Sequence, residues 1–315
     1  MWEFFGLFVL GIALLTLGAD SLVKGASGLA QHFGAGAAAA GMAMVAVGSS
    51  LPELAISVTA ILQGHYALAM GNVIGSCIAN FGLIIAVAAL VKPLSVNFRL
   101  VSFALPLLLA VGLMELLMSL NGKLGYDDGT VLLAGVAVFG WQLRKTIHCE
   151  TEAVCKELSY AANTQTDRWR NISRIVIGAS LLGYGAWLAS RYAYALAVGW
   201  HMSELLAGLT LLAVGSAIPE LATAIVAAAR GHGNVVVGGA VASSAVNLML
   251  VLGLLALWHP LPIPRSLVWI EYPALIAFAA AFYPMLRGDA QVSRREGAVL
   301  LAAFATFIGY QIIWA

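Results

Sequence analysis

Long apolar segments separated by short polar ones run along almost the whole chain. Each is long enough for one membrane crossing, because a helix needs about 20 apolar residues to span the hydrocarbon core of a bilayer. Each should be helical, since a lipid-exposed segment must satisfy its backbone hydrogen bonds internally. The pattern predicts transmembrane helices over residues 4–27, 37–62, 67–91, 98–119, 128–144, 172–196, 204–229, 234–257, 267–286 and 296–314.

One long polar segment divides these ten predicted helices into two equal groups. Residues 145–171 carry charges of both signs and contain no apolar run that could cross a bilayer. We expect them to connect a first five-helix repeat, residues 1–144, to a second, residues 172–315. A repeat with an odd number of crossings enters the membrane from opposite sides in its two copies. The predicted fold class is therefore an all-α membrane protein with two inverted repeats.

Composition supports a membrane protein and excludes several functions. Hydrophobic residues make up 61% of the chain and charged residues 10%, whereas globular proteins carry about 25% charged residues. The net charge of +1 gives no electrostatic reason to expect a nucleic-acid partner. The sequence has no HExxH motif and no nucleophile with a plausible base at membrane depth. We expect no enzymatic activity and no cofactor, with the lipid bilayer and small inorganic cations as partners.

The distribution of basic residues predicts the orientation. Of the 16 Lys and Arg residues, 13 fall in the loops on one side of the predicted bundle. Cytoplasmic loops carry an excess of basic residues, so this side should face the cytoplasm. Residues 145–171 should then be cytoplasmic, and both termini should lie on the outer, periplasmic side of a cell (inner) membrane.

A polar motif inside the apolar segments occurs twice. GSSLPEL at 48–54 returns as GSAIPEL at 215–221, and the polar residues after it return at the same offset of 167 residues. The pairs include Ser49/Ser216, Pro52/Pro219, Glu53/Glu220, Ser76/Ser243 and Asn80/Asn247. A charged residue at the centre of a membrane helix costs about 2.5 kcal/mol or more, so a repeated buried glutamate indicates a transport site.

The residues around each glutamate could supply oxygen ligands. Pro52 lacks an N–H and its ring clashes with the Gly48 carbonyl, so the helix should kink or break and leave carbonyls unpaired. Near-helical spacing puts Ser49, Ser50 and Glu53 on one face. We expect the second repeat to reproduce this arrangement. The donors are then carboxylates, hydroxyls, freed carbonyls and the amides of Asn80 and Asn247. Such hard oxygen ligands suit calcium and sodium.

Both segments resemble the alpha repeats of the cation/calcium antiporter superfamily, especially of sodium/calcium exchangers. G-S-[SA]-[LI]-P-E and G-N-x-I-G-S-x-x-x-N carry the resemblance. It implies a diamond of four ion-binding helices, spans 2, 3, 7 and 8, across which spans 1 and 6 slide. It further implies that Glu53 and Glu220 bind calcium directly. The implied ligands for calcium or sodium are Ser49, Ser50, Ser76, Ser216, Ser243 and the carbonyls of Ala46 and Ala213.

Departures from the family pattern suggest how the ions are coupled. Asn247 stands where many exchangers carry Asp, and Ala217 replaces the hydroxyl expected opposite Ser50. Two ionised glutamates balance one Ca²⁺, two Na⁺ or two protons, and a third cation would leave the site positive at low dielectric. We expect nearly electroneutral exchange of one calcium for two monovalent cations.

Three alternatives stay open: proton instead of sodium coupling, transport of another divalent cation, and, less favoured, a passive cation channel.

Two further acidic residues, Glu115 and Glu271, have no partner at the repeat offset. Both lie near predicted helix ends, so we expect solvated edge positions.

Overall fold

The structure, a computed structural model, describes residues 1–33, 48–96, 102–149, 167–287 and 290–314. Helices dominate these residues and follow the order predicted from the apolar pattern. They are α1 (Trp2–His32), α2 (Ser50–Leu62), α3 (Tyr66–Val91), α4 (Ala104–Asn121), α5 (Tyr126–Cys149), α6 (Arg168–Gly199), α7 (Glu204–Ala229), α8 (Gly233–Trp258), α9 (Tyr272–Arg287) and α10 (Arg294–Trp314).

The prediction of an all-helical membrane protein is confirmed. Within the described residues, eight helices are long and apolar enough to cross a membrane. α2 is shorter, at 13 residues, and the segment before it, residues 34–47, lies outside the described part. Most of the predicted connector also lies outside it, because residues 150–166 are not described.

Four short strands, which the sequence analysis did not predict, join the two repeats. They are β1 (Leu94–Ser95), β2 (Lys123–Leu124), β3 (Leu261–Pro262) and β4 (Gln291–Val292). β1 pairs antiparallel with β4, and β2 pairs antiparallel with β3. β1 and β3 lie at equivalent positions of the repeats, 167 residues apart. Each pair therefore links the end of the third helix of one repeat to the start of the fifth helix of the other.

The central helices show the same two-fold relationship. α3 widens into a π-helical turn at Asn80–Ile85, and α8 does so at Asn247–Val251. The thiol of Cys77 in α3 lies 3.6 Å from the main-chain oxygen of Ser244 in α8. Cys77 and Ser244 are themselves equivalent positions, so the pseudo-two-fold axis passes between them. Since odd-numbered repeats related by such an axis must be inverted, this contact supports the predicted inverted architecture.

A seam of glycines brings α1 and α6 into close backbone contact. A Cβ atom on Gly18 would lie 2.3 Å from the Leu182 nitrogen, and one on Gly185 would lie 2.4 Å from the Leu15 nitrogen. Small residues allow membrane helices to approach this closely. Gly18 and Gly185 are equivalent positions, so the first helices of the two repeats pack on each other symmetrically.

Candidate functional site

The two proline motifs fold differently. In the first repeat, α2 begins at Ser50, and Pro52 lies in its first turn, where the missing N–H breaks no helical bond. In the second repeat, Pro219 lies inside an α-helical stretch that runs from Ala213 to Ala229. The second repeat therefore does not reproduce a helix break at its proline, whereas a kink at Pro219, the other predicted outcome, stays a prediction. One missing hydrogen bond is tolerated where neighbouring helices pack on a membrane helix, and the irregular turn lies earlier, at Gly208–Leu212.

Glu53 is buried at the junction of the repeats, with 2% of its surface exposed. The Ser216 hydroxyl of α7 donates a hydrogen bond to Glu53 Oε1 at 3.0 Å. Glu53 Oε2 has no hydrogen-bond partner among the described residues. Asn72 Nδ2 of α3 donates to the Glu53 main-chain oxygen at 3.2 Å and to Ser57 Oγ at 3.0 Å. Three helices therefore hold this carboxylate in position and leave one of its oxygens free to bind a cation.

Hydroxyl groups predicted as ligands surround Glu53 and bond to nearby carbonyl oxygens. Ser216 Oγ also lies 3.3 Å from the Ala213 oxygen, and Ser50 Oγ reaches the Ser243 oxygen across the repeats at 3.5 Å. Ser76 Oγ donates to the Asn72 oxygen at 2.8 Å. These hydroxyl oxygens keep lone pairs available, since each uses its hydrogen to donate.

The two equivalent asparagines have different surroundings. Asn80 Nδ2 donates to Ser244 Oγ at 3.0 Å and to the Ala240 oxygen at 3.4 Å, which ties α3 to α8. Asn247 is equally buried, but its Oδ1 has no hydrogen-bond partner in the described part of the chain. Position 77 is a cysteine where position 244 is a serine, so the hydroxyl that accepts from Asn80 has no equivalent beside Asn247.

A cavity of about 560 Å³ reaches the site from one side. Its polar lining includes Ser49, Asn80, Ser216, Glu220 and Ser243. It extends along α7 and α8 to Ala227 and Val235, close to the short connection between these helices. Glu220 is half-buried, and its Oε1 is buried without a hydrogen-bond partner among the described residues. Glu220 also experiences the charge of Glu53, so the two carboxylates belong to one electrostatic site.

The corresponding path through the first repeat is closed. Ala60 and Leu68 are the equivalents of Ala227 and Val235, and both are fully buried. Glu53, the equivalent of half-buried Glu220, is buried as well. The site is therefore accessible from the α7–α8 connection and packed shut towards the α2–α3 connection.

Most of the predicted ligands lie together at the centre of α2, α3, α7 and α8. Ala46 lies outside the described residues. The expectation of solvated edge positions for Glu115 and Glu271 is wrong, because both are 0% exposed. Glu271 accepts a hydrogen bond from Gln311 Nε2 at 2.7 Å. Sequence reasoning did not assign Asn72 to the site, although it belongs to the G-N-x-I-G-S motif and lies one helical turn before Ser76.

Equivalent buried glutamates in the two copies of an inverted repeat are typical of a secondary transporter for cations. The chain belongs to the family described as "Sodium/calcium exchanger protein", which matches residues 3–141 and 171–313. It is thus a multi-pass membrane transporter of the cation/calcium exchanger family and not an enzyme.

Individual proteins match over almost their whole length. The "Inner membrane protein YrbG" of Escherichia coli (strain K12) is 32% identical over 311 residues, covering 96% of this chain and 94% of the relative. "Sodium/calcium exchanger MaX1" of Methanosarcina acetivorans is 27% identical, with 96% and 97% covered. A solved structure of the sodium-calcium exchanger NCX_Mj, soaked with Na⁺ and Sr²⁺, superposes with a TM-score of 0.65 at 26% identity and 98% coverage of both chains.

Proposed function

We propose that this antiporter exchanges calcium for sodium at one shared site between Glu53 and Glu220. The observation that carries the proposal is the Ser216–Glu53 hydrogen bond at 3.0 Å, which brings polar groups of both repeats to one point. Buried oxygens around that point include carboxylates, hydroxyls and carbonyls, the ligand types that calcium and sodium prefer. The names of MaX1 and NCX_Mj as sodium/calcium exchangers support the choice of ions.

The number of charges at the site suggests the stoichiometry. Among the described residues, Glu53 and Glu220 are the site's unpaired carboxylates, and the positions of Asn80 and Asn247 are neutral amides. Asp20 also lines the cavity, but Lys24 balances its charge at 2.7 Å. Two negative charges balance one Ca²⁺ or two Na⁺, and unbalanced charge is costly at low dielectric. Exchange of one calcium for two sodium ions would move almost no net charge.

Alternating access would use the glycine seam between α1 and α6. These helices would slide together across the site, opening it to one side of the membrane at a time. The positive-inside distribution places the α7–α8 connection, which contains Arg230, on the cytoplasmic side. On this orientation the cavity opens inwards, and both termini are periplasmic.

Calcium uptake into sodium-loaded proteoliposomes tests the function. The vesicles are diluted into sodium-free buffer at matched pH, and radioactive calcium inside them is counted. We expect uptake that Glu53→Gln abolishes and that Glu3→Gln, a change at an exposed residue of α1, leaves intact. Uptake that appears only when a pH gradient replaces the sodium gradient would overturn sodium coupling and favour calcium/proton exchange. Uptake that needs neither gradient and runs only downhill would instead indicate a channel.

A further inference from the structure

A third carboxylate, outside the exchange site, is buried in α4. Glu115 is 0% exposed, and neither Oε1 nor Oε2 has a hydrogen-bond partner among the described residues. An isolated ionised carboxylate is very costly in a low-dielectric interior, and such groups are paired, coordinate a cation or become neutral. Glu271, the other buried acid outside the exchange site, differs because Gln311 Nε2 donates a hydrogen bond to it at 2.7 Å. Glu115 therefore requires a ligand that removes its charge.

Two buried hydroxyl groups near Glu115 also lack a hydrogen-bond partner among the described residues. Ser119 is one helical turn further along α4, and Tyr272 at the start of α9 lies near both Ser119 and Glu115. Ser119 Oγ and Tyr272 OH are buried, and neither forms a hydrogen bond within the described part of the chain. All three residues are fully buried, which favours the smallest cation, a proton. A protonated Glu115 could donate to one of these oxygens and accept from the other.

Cys77 of α3 connects Glu115 to the exchange site. It is fully buried, it lies one residue after the predicted ligand Ser76, and it is near both Glu115 and Glu53. Cys77 and Tyr272 are the titratable groups that face Glu115 from α3 and α9. Ser119 precedes the exposed residues Asn121 and Gly122 at the end of α4. This end of α4 is the nearer surface, so we expect protons to exchange with Glu115 from the membrane side opposite to the cavity.

We propose that Glu115, with Ser119 and Tyr272, forms a proton-binding site whose occupancy sets the negative charge beside the exchange site. With the proton bound, the exchange site retains the two charges of Glu53 and Glu220. Loss of the proton adds a third negative charge close to Cys77, which favours a third monovalent cation. This second step rests on the proposed sodium/calcium exchange, whereas proton binding itself does not.

Infrared difference spectroscopy tests proton binding independently of transport. The purified protein is titrated with alkali in normal and heavy water, and the carbonyl stretch of protonated carboxylic acids is followed. We expect a band that disappears in Glu115→Gln, shifts in Tyr272→Phe and persists in Glu271→Gln. Persistence of the full band in Glu115→Gln would overturn the proposal. So would a band that disappears on adding Na⁺ at constant pH, because the site would then bind sodium.

A second measurement tests the consequence for transport. Calcium-dependent current is recorded across bilayers while the pH is raised on the side of the α4–α5 connection. We expect current to appear at alkaline pH in the wild type and to stay absent in Glu115→Gln, which mimics the protonated acid. Equal currents in both proteins would overturn the charge-setting role. Glu53→Gln should abolish transport and keep the Glu115 band, so failure of the exchange proposal is distinguishable from failure of this one.

Discussion

The Thr59 hydroxyl of α2 lies 3.0 Å from the Ser190 hydroxyl of α6, and this contact joins the first repeat to the second. Gln63 Nε2 donates to the same Ser190 oxygen at 3.1 Å. The equivalent positions on the other side are Val226, Arg230 and Val23, which cannot form this pair of bonds. The polar contact occurs where the site is closed, and its apolar equivalent lies where the cavity opens.

A second contact closes the same side. His65, at the start of α3, lies 3.0 Å from Glu204 at the start of α7, and its ring stacks on Tyr194 of α6 with centroids 3.7 Å apart. His232 is the equivalent of His65, and the sequence positions equivalent to Tyr194 and Glu204 carry Ser27 and Ala37, which offer neither an aromatic ring nor a carboxylate. The two repeats share the same helix order but differ in these polar side chains. The polar contacts therefore stabilise the arrangement that is closed on the α2–α3 side and open on the α7–α8 side.

Replacement of Ser190 by Ala should weaken this closure. The change removes two hydrogen bonds worth about 1 kcal/mol each, which corresponds to a shift of about thirtyfold towards opening on the α2–α3 side. The measurement is labelling by a membrane-impermeant thiol reagent at Ala60→Cys, in a variant whose native cysteines are replaced. We expect Ala60→Cys to be protected in the parent and labelled in the Ser190→Ala protein.

Two controls accompany this experiment. Ala227→Cys, the equivalent cavity position, should be labelled in both proteins. Ser180→Ala removes an exposed hydroxyl of α6 that donates to the Val176 oxygen of its own helix, and it should leave labelling unchanged. If Ser190→Ala also leaves Ala60→Cys protected, these hydrogen bonds do not hold the site closed.

The sequence alone predicted the helical fold, and its internal repeat led to the candidate site. The offset of 167 residues identified Glu53 and Glu220 because a costly residue was repeated in register. The same reasoning could not find Glu115, since its equivalent position is Phe282 and no repeat marks it. The burial of Glu115 depends on how α4 packs against α9, and this long-range contact cannot be predicted from the hydropathy pattern.

The contacts that close the α2–α3 side also could not be predicted from the sequence. Thr59 and Ser190 are 131 residues apart, and a Thr or Ser in a membrane helix usually bonds to its own backbone. Which pairs meet depends on the position of α6 over α2, and in the proposed transport cycle that position changes. One sequence would then encode both arrangements, so periodicity cannot select between them.

Replacement of Gly18 by Ala should stiffen the seam between α1 and α6. The new Cβ would lie 2.3 Å from the Leu182 nitrogen, and overpacking of this kind costs about 1–3 kcal/mol. We expect a lower melting temperature and slower exchange. Gly183→Ala is the matched control, since its Cβ would meet no atom of the described residues within 4 Å. Equal effects of the two changes would show that the close approach is not needed.

Replacement of Ser216 by Ala should weaken calcium binding. A hydrogen bond to a charged group contributes about 1.5–3 kcal/mol, so the affinity should fall about ten- to a hundredfold. Isothermal titration with calcium measures this, with Thr223→Val as control because that hydroxyl bonds to the Glu220 main-chain oxygen. Tighter binding in Ser216→Ala would mean that the hydroxyl competes with the ion for Glu53.

Replacement of Asn247 by Asp should make exchange electrogenic. The side-chain oxygen of Asn247 is buried, and no described residue donates to it, so a carboxylate there would add a third charge to the site. That charge favours a third sodium ion, because unbalanced charge is costly at low dielectric. We expect calcium-dependent current in Asn247→Asp and little in the wild type at neutral pH. Asn121→Asp adds the same charge at an exposed position and should give no current. A large current already present in the wild type would contradict the one-to-two stoichiometry and would place the third charge on a residue that is already in the chain.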